Sequence, residues 1–396
     1  MAKTIEVCPS CKLASVQAGL LASSDFDTLV IQHGTYREFD LKVLHPLTII
    51  GIDYPTIDGE NRGEIITIQS DNVTIDGLHI INVGTSYTID YAAIRVVKSR
   101  NFEIRNVHLE RLFFGIYLEK SNWGRIHHNR IHGQATEEYN SGNGIHLWYS
   151  HGIEISENDI RGVRDGIYLE FADSAIIEHN YSRDNVRYGL HFMFSNDDLY
   201  TENTFERNGA GVAVMFSKRI RMIRNTFRNN WGGASYGLLL KEIYDADIEE
   251  NIFDNNTIGI NVEGSSRINY RTNDFINNGW AIKISGGCYD NHINGNNFIA
   301  NSFDLAMNET ANNNNIERNF WADYSGYDLD RDGFGDVPHR PVKLFNFIVL
   351  KTPESVILLR SLLIDIINFS EKVSPILTPK NVLDISPVMK RINHKS

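Results

Sequence analysis

From Val43 onward, apolar and polar residues alternate in short runs: VLHPLTIIGID, then IITIQSDNVTIDGLHIINVG, then AAIRVVKSRNFEIRNVHLERL. Each run is an alternating strand, a polar turn and another alternating strand, with no helical period. Before them, Thr28 to Tyr36 reads as a short buried strand that ends at Gly34. A small residue opens each later repeat, at Ala93, Gly115, Gly144, Gly166, Gly189, Gly211, Gly237, Gly259 and Ala281, at intervals of 22, 29, 22, 23, 22, 26, 22 and 22. Asparagines run in step at Asn106, Asn129, Asn158, Asn180, Asn203, Asn225, Asn251, Asn273, Asn296 and Asn319. Two phase-locked ladders of this length predict a solenoid, because each coil can bury its apolar face only against its neighbours.

Positions one and three after the opening residue are apolar, as in Ile145/Leu147, Ile167/Leu169 and Leu190/Phe192, and strand alternation turns them inward. Phe205, Phe227, Phe253, Phe275, Phe298 and Trp321 follow their ladder asparagines by two residues, which predicts an interior aromatic stack. The asparagines themselves are expected to pair with the backbone of adjacent coils. The fold expected is an all-β, right-handed parallel β-helix of about 22-residue coils over residues 1–322. An Asp-rich loop at 323–342 follows, then an apolar tail at 343–396 with one helix from about Pro353 to Val373. Extra residues at Gly133 to Asn143 and around Trp231 to Ser235 are expected to protrude at one corner, where insertions shape a binding surface.

Composition narrows the function. With 38 Lys+Arg against 50 Asp+Glu the formal charge is −12, against nucleic acid and polyanionic substrates, which need a basic track. No apolar run is long enough to span a bilayer, and Arg360 and Asp365 interrupt the tail. The Met-Ala-Lys start carries no stretch of signal-peptide type, which is also how a chain beginning after a removed signal would read. Three cysteines make no disulfide framework; Cys8 and Cys11, in CPSC, read as a local disulfide or two thiols, with metal or redox chemistry as the alternative.

If positions one and three face in, positions two and four face out. On the coils opening at 144 to 211 the outward columns hold His146, Tyr168 and His191, and Trp148, Glu170, Met193 and Met215. A solvated face does not ordinarily carry these groups. Met193 and Met215 share a column on successive coils, about 4.8 Å apart, and His191 stands about 6.7 Å along the strand. Two thioethers and an imidazole so placed can converge on one soft ion, Cu(I) above all, and Glu170 is the one acid expected near them. The same patch also fits a protein-docking surface, with His146, Trp148, Tyr168 and Glu170 as its partner face. Asp328, Asp330, Asp332 and Asp336 lie in DLDRDGFGD, which starts like a calcium loop but has His339 where an EF-hand has its bidentate Glu; Ca²⁺ and a self-bonded acidic turn both fit. A carbohydrate-active β-helix enzyme, a polysaccharide lyase, hydrolase or epimerase, is the alternative function, with Tyr117, Glu119, Tyr168 and Glu170 as acid–base candidates.

The motifs RDGIYLE (Arg164 to Glu170), RYGLHFMFS (Arg187 to Ser195), GAGVAVMFS (Gly209 to Ser217) and NFWADYSGYDLDRDGFGDVPHRP (Asn319 to Pro341) resemble the NosD family, the β-helix maturation factors of nitrous oxide reductase. The likeness runs from about Thr28 to Met389, and the CPSC pair has no place in it. It implies a periplasmic, non-enzymatic metallochaperone of denitrification. Such a protein takes up Cu⁺ at His191, Met193 and Met215 and works with an ABC transporter, a lipoprotein copper chaperone and nitrous oxide reductase. The C-terminal tail is the expected dock for the transporter's membrane subunit.

Overall fold

The computed structural model describes residues 2–307, 313–359, 361–373 and 382–393 and divides into two units, 1–226 and 227–396. Arg360 lies outside the described residues. In both units the coils are parallel β-solenoid, each contributing a front strand and two shorter ones.

In the first unit the front strands Leu41–Val43, Ile66–Ile68, Ala92–Val97, Phe114–Glu119, Ile145–Trp148, Asp165–Glu170, Tyr188–Met193 and Ala210–Met215 pair in parallel, each with the next. Ile116, Leu118, Ile145, Leu147, Ile167, Leu169, Leu190 and Phe192 are fully buried, as the alternation predicts. The opening residues are small because coils touch there: a Cβ on Gly166 would lie 2.5 Å from the carbonyl of Gly189. The N-terminal end carries a short helix, Val16–Ala22, capped by Ser15, that the sequence pattern did not reveal. It lies so close to the first strands that a Cβ on Gly19 would meet Val7 Cγ2 at 2.5 Å.

The asparagine ladder is a one-way chain. Asn129, Asn158, Asn180 and Asn203 each donate the backbone N–H and the side-chain amide to Oδ1 of the next, Asn203 to Asn225. Asn106 is not a member. The residue that donates to Asn129 is Val107, and Asn106 occupies the preceding left-handed turn position at φ 51°, a conformation that asparagine tolerates well. A second ladder, missed in the sequence, joins Asn185 to Asn208 in this unit and Asn230, Asn256, Asn278 and Asn301 in the other.

The second unit repeats the pattern with front strands Leu238–Lys241, Ile258–Glu263, Trp280–Ser285 and Phe303–Met307. Inside it Phe227, Phe253, Phe275, Phe298 and Trp321 stack face to face at 4.2–5.0 Å. Its ladder runs Asn251, Asn273, Asn296, Asn319 and then, in place of an asparagine, Asp384. The Asp384 carboxylate is fully buried and accepts from Arg318 N, Asn319 N, Asn319 Nδ2 and Trp321 Nε1 at 2.9–3.3 Å. Residues 382–393 thus close the last coil, with Asn297 and Ile392 exchanging two more hydrogen bonds.

The expected single helix from Pro353 is broken. A first helix spans Leu344–Lys351, a 3₁₀ segment Pro353–Leu358, and a second helix Leu362–Val373. Pro353, tolerated at a first turn, separates the first helix from the 3₁₀ segment, and the expected helix is interrupted between Leu358 and Leu362. Phe345, Val349 and Ile364 bury against Phe303, and the Asn346 amide donates to Leu305 O. Ile357, Leu362, Leu363, Ile366 and Phe369 remain exposed. No helix among the described residues is long and apolar enough to cross a membrane.

Candidate metal site

The front strand Tyr188–Met193 is the centre of the site. Its register sets Tyr168 and Ala213 on either side of His191, and Glu170 and Met215 on either side of Met193. Met193 and Met215 are therefore direct neighbours in one column, both half-buried, and Ala213 places only a methyl beside the imidazole. His191 is 6 % exposed, enclosed by the rings of Tyr168 and Tyr188, each 4.9 Å away. Its Nε2 has no hydrogen-bond partner, and its Nδ1 faces only a carboxylate. A buried ring nitrogen left without a partner is costly unless something outside the protein completes it.

The sequence reading placed only Glu170 near these residues, and this is corrected by Asp165. Its Oδ2 lies 3.6 Å from His191 Nδ1, and the carboxylate is fully buried under a bidentate clamp from Arg187 at 2.8 and 2.5 Å. Asp165 stands just before the opening glycine, where strand pairing already holds it opposite Tyr188. Burial pushes the Asp165 carboxyl up, but the Arg187 and His191 donors outweigh it and hold it below the usual carboxylate range. A negative charge facing Nδ1 favours the tautomer protonated there and leaves the Nε2 lone pair for a ligand. Arg187 also lies over the Tyr188 ring, at 5.0 Å.

The outward column is less open than its alternation implied. His146 is 7 % exposed, stacked on Tyr117 at 4.3 Å, edge-on to Tyr168 at 4.7 Å, and bonded through Nδ1 to Asn143 Nδ2 at 3.1 Å. Stacked neighbours and the end of the 133–143 insertion cover it, so it is not part of a partner face. Burial, then Arg164, pushes its pKa down to about 3, and it is a neutral imidazole at physiological pH. Tyr117 and Tyr168 are pushed up to about 12, first by burial, which is the wrong direction for an acid or base near neutrality. Trp148 and Glu170 are half-buried, with Lys120 over the indole.

The exposed apolar surface is one position further on. Tyr149, Phe171, Phe194 and Phe216 stack along four coils at 4.6–5.1 Å, each 37–48 % exposed. All four hold left-handed backbone, with φ between 49° and 54°, which bulky residues seldom adopt. On the two preceding coils the same position holds Lys98 and Lys120. Phe194 and Phe216 directly follow the two methionines, a regularity visible in the repeats MFS and MFS.

In the Asp-rich loop, carboxylate oxygens of Asp328, Asp330 and Asp332 lie within 4.8 Å of one another. Asp336 does not join them; its Oδ2 accepts from Leu329 N. Backbone amides of Asp332, Gly333 and Phe334 donate to the Asp328, Asp330 and Asp332 carboxylates, the pattern of an acidic turn that satisfies itself.

Residues 128–326, half of the chain, match the family model described as periplasmic copper-binding protein (NosD), and residues 48–150 match the right-handed β-helix region model. Two similar proteins are each named a probable ABC transporter binding protein NosD. One, from Pseudomonas aeruginosa, is 28% identical, covering 84% of this chain and 82% of its own. The other, from Stutzerimonas stutzeri, is 25% identical, covering 84% and 80%. Among solved structures, the Yersinia enterocolitica family 28 exopolygalacturonase superposes with a TM-score of 0.60 at 12% identity, covering 80% of this chain and 78% of that one. The Dettilon tailspike protein reaches 0.61 at 15%, covering 72% and 62%. At such identities these two speak for the fold alone. On the family match, with its relatives along most of the chain and the β-helix observed, this chain belongs to the NosD family of periplasmic copper-binding proteins.

Proposed function

We propose that this chain is a copper-handling assembly factor of the periplasm that takes up Cu⁺ at His191, Met193 and Met215 and passes it on for the maturation of nitrous oxide reductase. The observation that carries this is the buried His191 imidazole, its Nδ1 facing Asp165 and its Nε2 without a partner, beside two thioethers in register. Three soft, neutral donors suit Cu(I) over harder cations, and half-buried methionines keep the ion within a partner's reach. Asp165 and Arg187 orient the imidazole from behind. Anaerobic loading with one equivalent of Cu⁺ should give an X-ray absorption spectrum with two sulfur scatterers and one nitrogen; a first shell without sulfur would dismiss the site.

The chain divides its labour in this reading. Residues 1–322 carry the copper and the loop at 323–342 joins them to the tail, where three Asp carboxylates leave Ca²⁺ a place without requiring it. The 343–396 tail meets the ABC transporter that the relatives' names point to. Within that tail, residues 382–393 serve the last coil, so docking falls to the helical part, whose Leu362 and Phe369 are 74 % and 70 % exposed. Leu362→Asp with Phe369→Asp should abolish capture of the chain by vesicles containing the transporter's membrane subunit while leaving copper stoichiometry unchanged. Undiminished capture would remove the tail from the interface. A lipoprotein copper chaperone is the donor in this scheme, approaching over Phe194 and Phe216.

A further inference from the structure

The Cys8–Cys11 pair is used by nothing described so far. The two residues form a disulfide with a Cα–Cα distance of 5.0 Å, in a loop whose Pro9, Ser10 and Lys12 are exposed. The bond spans three positions and so constrains little of the chain. Nor does the loop depend on it: Cys8 N donates to Leu13 O, and Cys11 N donates to Cys8 O. The strand before it, Thr4–Val7, is paired with residues 28–31. The helix after it is held by Ser15 and by the Glu38 carboxylate, which accepts from Val16 N and Gln17 N at 2.6 and 2.8 Å. Pro9 packs so closely on Gly34 that a Cβ there would lie 2.8 Å from its ring. Opening the disulfide therefore leaves two thiols where they were, side by side at the surface.

We propose that the reduced Cys8–Cys11 pair is a second Cu(I) site, closed when the disulfide forms. Thiolates are the softest protein donors and select Cu(I). A Cys-X-X-Cys loop also favours ionisation of its thiols, and the Ser10 hydroxyl, 3.5 Å from Cys8 Sγ, can donate to a thiolate. Two steps load the site. A dithiol reductant transfers two electrons and two protons to the disulfide, becoming a disulfide itself and leaving two cysteine thiols. Cu⁺ then binds both sulfurs and displaces both protons, giving a two-coordinate bis-thiolate. Cys288 does not compete, being buried among Ser265, Ser285 and Gly286.

The test is anaerobic Cu⁺ titration of the full chain against a colorimetric chelator, before and after phosphine reduction and desalting. Reduction should raise the stoichiometry by one equivalent. The increment should vanish in Cys8→Ser/Cys11→Ser and persist in Met193→Leu/Met215→Leu, so that failure of the Met/His site and failure of this one read differently. Equal stoichiometry before and after reduction overturns the proposal, as does a disulfide that resists reduction in the folded chain. Preferential uptake of Zn²⁺ by the reduced pair overturns the choice of metal.

Discussion

Replacing Met193 and Met215 together by leucine should lower the affinity for Cu⁺ by more than about a hundredfold, since loss of an outer-shell partner alone typically costs about 10–100-fold and here two of three donors go. Leucine keeps volume and apolarity at two half-buried positions, and such swaps usually cost less than about 1.5 kcal/mol of stability, so the loss reads as lost coordination. Asp165→Asn should fall between wild type and this variant. It keeps the shape beside His191 Nδ1 but removes the charge that orients the ring, placing the expected loss at about tenfold or somewhat more. Its distinguishing mark is spectroscopic: the imidazole's nitrogen signal should weaken while both sulfurs persist. Competition titration under argon measures the series. Wild-type affinity in the double leucine variant would end the assignment, and wild-type affinity in Asp165→Asn would leave the Asp165–Arg187 pair a packing element.

Asp384→Ala should be among the most destabilising single changes in the second unit. Its fully buried carboxylate satisfies four donors of the last coil, the amides of Arg318 and Asn319, the Asn319 side chain and the Trp321 indole. Truncation leaves buried N–H groups without an acceptor, and each such group costs about 1–3 kcal/mol. Asp384→Asn should recover part of this, because asparagine is what the ladder carries at every earlier rung of this unit. Denaturant unfolding gives the free energies, and amide exchange at Asn319 shows where protection is lost. An alanine variant within about 0.5 kcal/mol of wild type, the scatter of ordinary surface substitutions, would mean the segment is held by other contacts.

The coil period, the inward positions and the shared Met193/Met215 column were all legible before any coordinates, because each follows from spacing that a pleated strand converts directly into geometry. What alternation cannot report is depth. It told which side of the front strand His146 and His191 occupy, but not that neighbouring rings and an insertion would seal them from solvent. Asp165 escapes the pattern because the small residue that marks each repeat, here Gly166, lies one residue inside the strand. The aromatic column at Tyr149, Phe171, Phe194 and Phe216 escaped because it sits in a left-handed turn, outside the period-two logic of strands. Asn106 was counted as a rung since a one-residue offset hardly shows against a period that itself varies. In the tail, leucine and isoleucine content marks a helix after Pro353 but shows neither the helix Leu344–Lys351 before it nor the interruption after Leu358.

The switch from asparagine to aspartate at the end of the ladder bears on assembly as well as stability. A rung of asparagine accepts from one coil and offers its own amides to the next, so a stack of such rungs ends on dangling donors and could recruit strands from another molecule, the hazard of any open sheet edge. A carboxylate accepts and offers nothing onward. Asp384 therefore acts as a chain terminator: its carboxylate accepts the last rung's donors and presents no side-chain donor of its own to a strand from another molecule.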